Sequence, residues 1–389
     1  MPSSVPSAVP QETSSRNNTV QVGLVRTMPH FSMDVYAEGL LSGFRTQRPN
    51  WQIVELLPQT VDRRSRSFRI RTQKAHERFW RFPKRVQRQA ADVYHIVDHS
   101  DAHIVRWIKK SGKPVVVTCH DLINYFYPQN LQGSVRLPFV SDRLWRSAVE
   151  AMQQADAIVA VSSNTAKDIT RLLKIEPDKI FVVPNAVDAA FVPASTVDVD
   201  SFRAVLNATP ETLCCLNVGS NHPRKNVSAI LQALSRLKQQ GVPIQFWKVN
   251  GVFSPEQKAF IEEHALSDSI RQLENIDAST LVKAYSAADI LVAPSFHEGF
   301  GLTLLEAMAC GTPVITSNVS AMPEVVGEAG LLVDPNDSGA IADSLQNFYQ
   351  DTLLQEQLRT KGLARAKVFS WEKTAGDIAE IYQQLLEKG

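Results

Sequence analysis

Residues Asp289–Pro335 read DILVAPSFHEGFGLTLLEAMACGTPVITSNVSAMPEVVGEAGLLVDP. Their alternation of apolar runs, glycines and acids decides how the second half of the chain folds. Asp289 to Ser295 is short and apolar and predicts a buried strand; His297 to Gly301 is a polar loop with two glycines; Leu302 to Cys310 has the composition of a helix. A strand, a loop and a helix start in that order present backbone amides at the loop mouth. The unpaired N–H groups of the first helical turn and the positive end of the macrodipole hold an anion there without dedicated cations. Gly299 and Gly301 allow ligand oxygens to approach the backbone.

Glu298 lies in the loop and Glu306 in the first turns of the helix, seven residues intervening, so both carboxylates face one mouth. Beside a diphosphate such acids accept hydrogen bonds from hydroxyls of an attached sugar or ribose, a use of acidic residues seen in nucleotide sites. Either acid alone also reads as an ordinary residue, Glu306 complementing the helix dipole and Glu298 solvated in its loop. A dinucleotide-binding oxidoreductase starts from the same βαβ units, but GFGLTL supplies only G-x-G-x-x-L, and no acid ends the strand that finishes near Ser317.

The spacing of Glu298 and Glu306 within HEGFGLTLLEAMACGTPVI resembles the E-x7-E signature of retaining glycosyltransferases of family 4 (group 1), which have the GT-B fold. VGSNHPRKN (Val218 to Asn226) is similar to the donor-phosphate loop of that family. LVKAYSAADILVAPS and SAMPEVVGEAGLLVDP flank its acidic motif, and VVVTCHDLI, DAIVAVSSNTAKDI, KIFVVPNAVD and FSWEKTAGDIAEIY match landmarks elsewhere in the chain. The resemblance implies an α/β protein of two Rossmann-like parallel-sheet domains facing a cleft, with a C-terminal helix crossing back to the first domain. It implies Glu298 on the transferred sugar, Glu306 on the ribose, and amides from Gly299, Phe300, Gly301, Leu302 and Thr303 on sugar and diphosphate. Gly219 and Ser220 belong to the donor loop. His120 matches a family histidine facing the sugar, read here as a hydrogen-bond donor.

Arg224 and Lys225 follow Pro223 in the loop after the strand ending at Gly219. When the glycosidic C–O bond of a nucleotide sugar breaks, negative charge builds on the β-phosphate, and preplaced cations stabilise that state more than the ground state. The donor implied is GDP-mannose or a UDP-hexose. The acceptor implied is a saccharide or a lipid-linked one. The family often carries a glycine pair in the loop after the first strand, and this chain has none, so His30, Ser32 and Tyr36 are read as acceptor contacts instead. Ser162 and Asn185 match cleft landmarks without a catalytic role. A catalytically silent nucleotide-sugar binder with the same fold is the alternative, and it would be expected to lose the cleft charges that this chain keeps.

At 389 residues, with 44% hydrophobic and 21% charged residues, the chain suits two domains able to bury cores. The expected division is a tail over 1–19, a first domain over 20–190, a second over 195–370 and a returning helix over 371–389. Met1 to Thr19 lacks an apolar stretch and reads as a flexible tail rather than a secretion signal, which places the protein in the cytoplasm. No run is long and apolar enough for a spanning helix. Cys119, Cys214, Cys215 and Cys310 lack C-x-x-C spacing and read as buried thiols.

Strands are expected at Val20–Val25, Gln52–Leu57, Val93–Val97, Pro114–Thr118, Ala157–Val161 and Ile180–Val183, then a turn-rich hinge over Val187–Val199 and a second set beginning at Leu213. His95, His99 and His103 with Asp98 and Asp101 have spacing compatible with metal ligation on a helix. A strand over Val93–Val97 destroys that geometry, and no metal is expected. Between Asp62 and Arg88 the chain carries eleven Arg or Lys against two acids although the whole chain is only +1. Interleaved Phe68, Ile70, Phe79, Trp80 and Phe82 make residues 62–88 a candidate amphipathic surface for an anionic membrane. Nucleic acid is the rival polyanion and is not the reading adopted; packing of the aromatics onto the first domain is the plain alternative.

Overall fold

The structure, a computed structural model, describes residues 19–26, 32–60, 67–125 and 139–388, with the side chains of 32 and 139–141 outside that description. Six strands come first: β1 (Gln21–Val25), β2 (Gln52–Leu56), β3 (Val93–Ile96), β4 (Val115–Cys119), β5 (Ala157–Ala160) and β6 (Ile180–Val182). They form one parallel sheet in the order β2-β1-β3-β4-β5-β6. Six more follow: β7 (Leu213–Val218), β8 (Ile244–Val249), β9 (Ile270–Leu273), β10 (Ile290–Ala293), β11 (Val314–Ser317) and β12 (Gly330–Val333). Their order is β12-β11-β10-β7-β8-β9, again parallel. β3, β4 and β5 are buried throughout, as befits strands covered by helices on both faces, which therefore read as continuous apolar runs.

The strand order of the second sheet reverses between β7 and β10, which run parallel. Loops leaving those adjacent strands part to opposite faces, and the crevice between them is where open α/β sheets bind ligands. The loop after β7 holds Arg224 and Lys225, and the loop after β10 holds Glu298. Strand order thus joins the two motifs that the sequence separates.

The expected strands form within about two residues of their predicted limits, the ordinary spread of assigned ends. The hinge differs: a helix, Thr196–Val205, begins inside the stretch expected to be turn-rich and is capped by Ser195, whose side chain accepts from Asp198 N–H. Only Val199 and Phe202 anchor it on the second core, while Val197 and Val205 are exposed, so its apolar stripe is too thin to show in the sequence.

The last helix, Trp371–Glu387, buries Trp371, Ala375, Ile378 and Tyr382 with Leu40 and Phe44 of the helix Ser32–Gln47, in the core of the first sheet. Thr374 Oγ1 donates to the Pro184 carbonyl at 2.9 Å. The Tyr382 hydroxyl meets His95 Nδ1 at 2.5 Å, and His95 Nε2 meets Thr118 Oγ1 at 2.6 Å. Both ring nitrogens of His95 are therefore used in packing, and burial pulls its pKa down to about 3. His103 instead faces the Arg78 carbonyl. Among the described residues no three His, Cys, Asp or Glu are grouped to hold an ion.

Residues 62–66 of the basic segment lie outside the described residues; the rest is helical over Phe68–His76, passes through one wider turn at Glu77–Arg81 and continues to Arg88. Its aromatics do not share one side. Phe82 and Val86 enter the first core, whereas Phe68 and Trp80 are 78% and 56% exposed. Arg78 and Arg85 are engaged by Asp101 and Glu77. All four cysteines are buried and free. Among the described residues no helix is long and apolar enough to cross a membrane.

Candidate active site

His222 Nδ1 accepts from Arg224 N–H and so starts the tight turn Pro223–Lys225. Asn226 follows with a left-handed backbone, and its amide donates to the Pro294 and Pro335 carbonyls, tying this turn to the two neighbouring loops of the sheet. Phe296 N–H reaches the Arg224 carbonyl at 2.8 Å. The turn and the acidic loop are thus fastened backbone to backbone before any charge is considered.

On that base the charges converge. Arg224 Nη1 and Lys225 Nζ each lie 2.6 Å from a different oxygen of Glu298, and Ser295 Oγ donates to the same carboxylate at 2.8 Å. Burial alone would raise the Glu298 pKa, but Lys225 and Arg224 hold it down to about 2. The acid expected on the sugar and the cations expected on the diphosphate are bound to one another. Charge-assisted bonds of this kind fix long side chains in place.

Gly301 starts the helix Leu302–Ala309 with φ of 114°, and no side chain caps it. Such a backbone needs glycine, and it leaves the first-turn amides open to the cleft. Glu306, one turn in, accepts from the Tyr285 hydroxyl at 2.6 Å. Burial raises its pKa, opposed by that bond and by the nearby charge of Lys225. Arg224, Lys225, Glu298 and Glu306 therefore occupy one neighbourhood. A cavity of about 250 Å³ opens there, lined from the second domain by Lys225, Glu298 and residues Gly299 to Thr303. Gly219 and Ser220 lie beside Lys225 at the end of β7, Ser220 exposed.

The first domain supplies the opposite wall with His120, Asp121, Tyr36, Asn185, Met33 and Val35. Two of these sit otherwise than expected. His120 Nε2 faces the Val97 carbonyl at 2.8 Å and must donate to it. Burial lowers the His120 pKa despite nearby Asp98, and the neutral ring then has Nδ1 only as an acceptor. The Tyr36 hydroxyl bonds Thr118 Oγ1 at 2.9 Å, so Tyr36 offers the cavity its ring, edge-on to His120 and Trp371. His30 and the Ser32 side chain lie outside the described residues.

Gly299 is where the domains touch. Ser162 Oγ and Thr165 Oγ1 donate to its carbonyl at 2.6 and 3.1 Å. A Cβ at that position would lie 1.8 Å from the His120 carbonyl oxygen, so the residue must be glycine for a steric reason as well. His297 Nε2 stands 3.6 Å from Asp168 Oδ2 across the same boundary, and Glu324 of the second domain accepts from Ser163 and Asn164 N–H of the first. Sequence reading missed Tyr285 and the Glu324 cap; Asn185, matched there as a cleft landmark, does line the cavity, and among the described residues its buried Oδ1 has no hydrogen-bond partner. Tyr285 lies in LVKAYSAADILVAPS, where nothing local marks it as a partner of Glu306.

A crevice at the strand-order switch of the second sheet bears clustered cations, two acids and an uncapped helix start, on a two-domain GT-B fold. The family model described as "Glycosyl transferases group 1" matches residues 198–365, and that of "Glycosyltransferase Family 4" matches residues 42–191. The O-antigen chain mannosyltransferase B of Escherichia coli is 32% identical over 273 residues, 69% of this chain and 70% of that protein. The serotype-specific mannosyltransferase WbdA of the same organism is 28% identical over 77% of this chain, a match spanning 37% of that longer protein. The sucrose-phosphate synthase of Thermosynechococcus elongatus superposes with a TM-score of 0.75 at 21% identity, over 95% of this chain and 100% of that one. The chain belongs to the group 1, family 4 glycosyltransferases.

Proposed function

We propose that this protein is a retaining, metal-independent hexosyltransferase that moves mannose or glucose from GDP-mannose or a UDP-hexose to a saccharide or lipid-linked acceptor. One observation carries the reading: Arg224, Lys225 and Glu298 converge beside the uncapped helix start at Gly301 and within reach of Glu306. Arg224, Lys225 and the helix amides take the charge that grows on the β-phosphate oxygen as the anomeric C–O bond breaks, which is the task a divalent ion performs elsewhere. Glu298 exchanges part of its cation contact for sugar hydroxyls when donor binds, and Glu306 holds the ribose.

The acceptor hydroxyl attacks from the face the leaving group vacates and gives its proton to the departing phosphate oxygen. Glu298 is held by three donors, which suits binding rather than nucleophilic attack, and no covalent intermediate is invoked. The similarity to an O-antigen chain mannosyltransferase supports a mannosyl donor and a growing polysaccharide acceptor. Residues 20–190 serve as acceptor domain and 195–370 as donor domain, with catalysis on the cytoplasmic side. The basic segment rests on an anionic membrane surface through exposed Phe68 and Trp80 and the arginines around them.

Thermal-shift titration with GDP, UDP and ADP, then with their hexose derivatives, tests the donor. Stabilisation by one diphosphate, together with slow hydrolysis of its sugar or transfer to an added acceptor, is expected. Binding with no turnover of any donor would instead make the protein a nucleotide-sugar binder.

A further inference from the structure

Lys248, in β8, has no exposed surface, although it carries an ammonium group. Lysine is almost never fully buried without a partner, because desolvating the charge is costly. Among the described residues no carboxylate forms an ion pair with it. Its Nζ donates instead to three main-chain carbonyls, those of Gly219 at 2.5 Å, Asn250 at 2.6 Å and Val249 at 3.3 Å, which uses all three of its N–H bonds. Those oxygens lie at or just past the C-terminal ends of β7 and β8, where the donor loop leaves the sheet.

In a planar trans peptide the N–H points opposite to the C=O. Drawing the Gly219 oxygen inward to Lys248 therefore turns Ser220 N–H outward, and drawing the Asn250 oxygen inward turns Gly251 N–H the same way. Among the described residues Ser220 N–H has no protein acceptor. Gly251 closes on the same loop, since a Cβ there would lie 2.5 Å from the Asn221 nitrogen. Gly219 is also next to the catalytic cation: the Lys225 Nζ is 4.0 Å from the position its Cβ would take. One ammonium in the cleft and one beneath the loop thus flank a single residue. Burial, with the charge of Lys225 adding to it, lowers the Lys248 pKa to about 8. It is nevertheless predominantly protonated at neutral pH.

We propose that Lys248 is a positioning residue of the donor site, a buried cation that fixes the Gly219–Ser220 peptide with its N–H toward the diphosphate and its negative oxygen turned away. The proposal rests on the nucleotide-sugar reading above. It assigns the contribution of Lys248 to the phosphate end of the donor alone, leaving the base and ribose untouched.

Lys248→Met keeps length and apolar stem while removing the donors. Calorimetric titrations of the wild type and the variant with UDP and GDP, and with uridine and guanosine, separate the roles. The diphosphate that binds the wild type should bind Lys248→Met about tenfold or more weakly, the range expected for losing hydrogen bonds to a charged group. Affinity for the matching nucleoside should be unchanged, and KM for the nucleotide sugar should rise. Equal weakening of nucleoside and diphosphate would make Lys248 merely structural and overturn the proposal, as would unchanged diphosphate affinity in a folded variant. Lys248→Gln, which keeps one NH2 group, serves in the same titrations if the Met variant is not recovered folded. A wild type that binds no nucleoside diphosphate would instead sink the proposed function, an outcome distinct from failure at Lys248.

Discussion

Lys225 and Glu298 are 73 positions apart in the chain, yet the ammonium nitrogen of one lies 2.6 Å from a carboxylate oxygen of the other at the mouth of the donor crevice. The contact holds the cation in place, and under the proposed function it leaves one carboxylate shared between that cation and a sugar. Removing Lys225 or Arg224 should therefore lower transfer by about 10²–10³-fold each, as loss of a preorganised charge-stabilising donor does. Steady-state rates of Lys225→Ala and Arg224→Ala with nucleotide sugar check this; rates within twofold of wild type would remove both from the mechanism.

The pH dependence of stability follows from the same cluster. The folded pKa of Glu298, about 2, lies below the unfolded value of about 4.3. Its contribution is thus present above the unfolded value and is lost as pH falls through the folded one. The melting-temperature difference between wild type and Glu298→Gln should stay level from pH 8 to about 5 and shift toward lower wild-type advantage between about 4.3 and 2. A difference that changes only above pH 6 would contradict the ion cluster.

Gly299→Ala places a methyl group against the His120 carbonyl, where 1.8 Å is available. The contact is between domains, so the clash can be relieved by their separation as well as by local strain of about 1–3 kcal/mol. Small-angle scattering should show a larger radius of gyration for the variant, and kcat should fall at least about tenfold because closure completes the site. An unchanged radius with normal turnover would mean that this contact does not matter.

Tyr285→Phe removes the hydroxyl that donates to Glu306. Burial then raises the Glu306 pKa with less opposition, and nucleoside affinity should fall about tenfold, the value of a bond to a charged group. Titration with the preferred nucleoside reads this directly. Glu306→Gln should weaken the same affinity at least as much, and a wild-type constant in both variants would dissociate Glu306 from the ribose.

For the basic segment, neutralising Arg63, Arg64, Arg66, Arg69 and Arg71 should weaken partitioning onto anionic liposomes by about 10³-fold, read by co-sedimentation, at about 1 kcal/mol per basic residue near the surface. Trp80→Ser should add to the loss, since Trp80 is 56% exposed. Equal sedimentation of variant and wild type would leave the segment as a solvated part of the first domain.

Much of this protein is local in origin. Parallel strands covered on both faces are apolar end to end, so β4 and β10 announce themselves in VVVTC and ILVA. Glycine at 301 marks a backbone turn that other residues avoid, and the seven-residue gap from Glu298 to Glu306 carries both acids to one helix start. The helix Thr196–Val205 escaped because two anchoring side chains make no period.

The residue sequence by itself determined the two parallel sheets, the loop and helix of the acidic motif, and the presence of Arg224 and Lys225 after a strand end. Only the tertiary structure decided that these cations grasp Glu298, that the His120 proton is committed to the Val97 carbonyl, that Ser162 and Thr165 catch Gly299, and that Lys248 lies beneath Gly219. Burial and backbone preference act over a few neighbouring residues and leave a periodic trace. Contacts such as Arg224 to Glu298, 74 positions apart, or Ser162 to Gly299, 137 apart, depend on strand order and domain apposition, which no short window records.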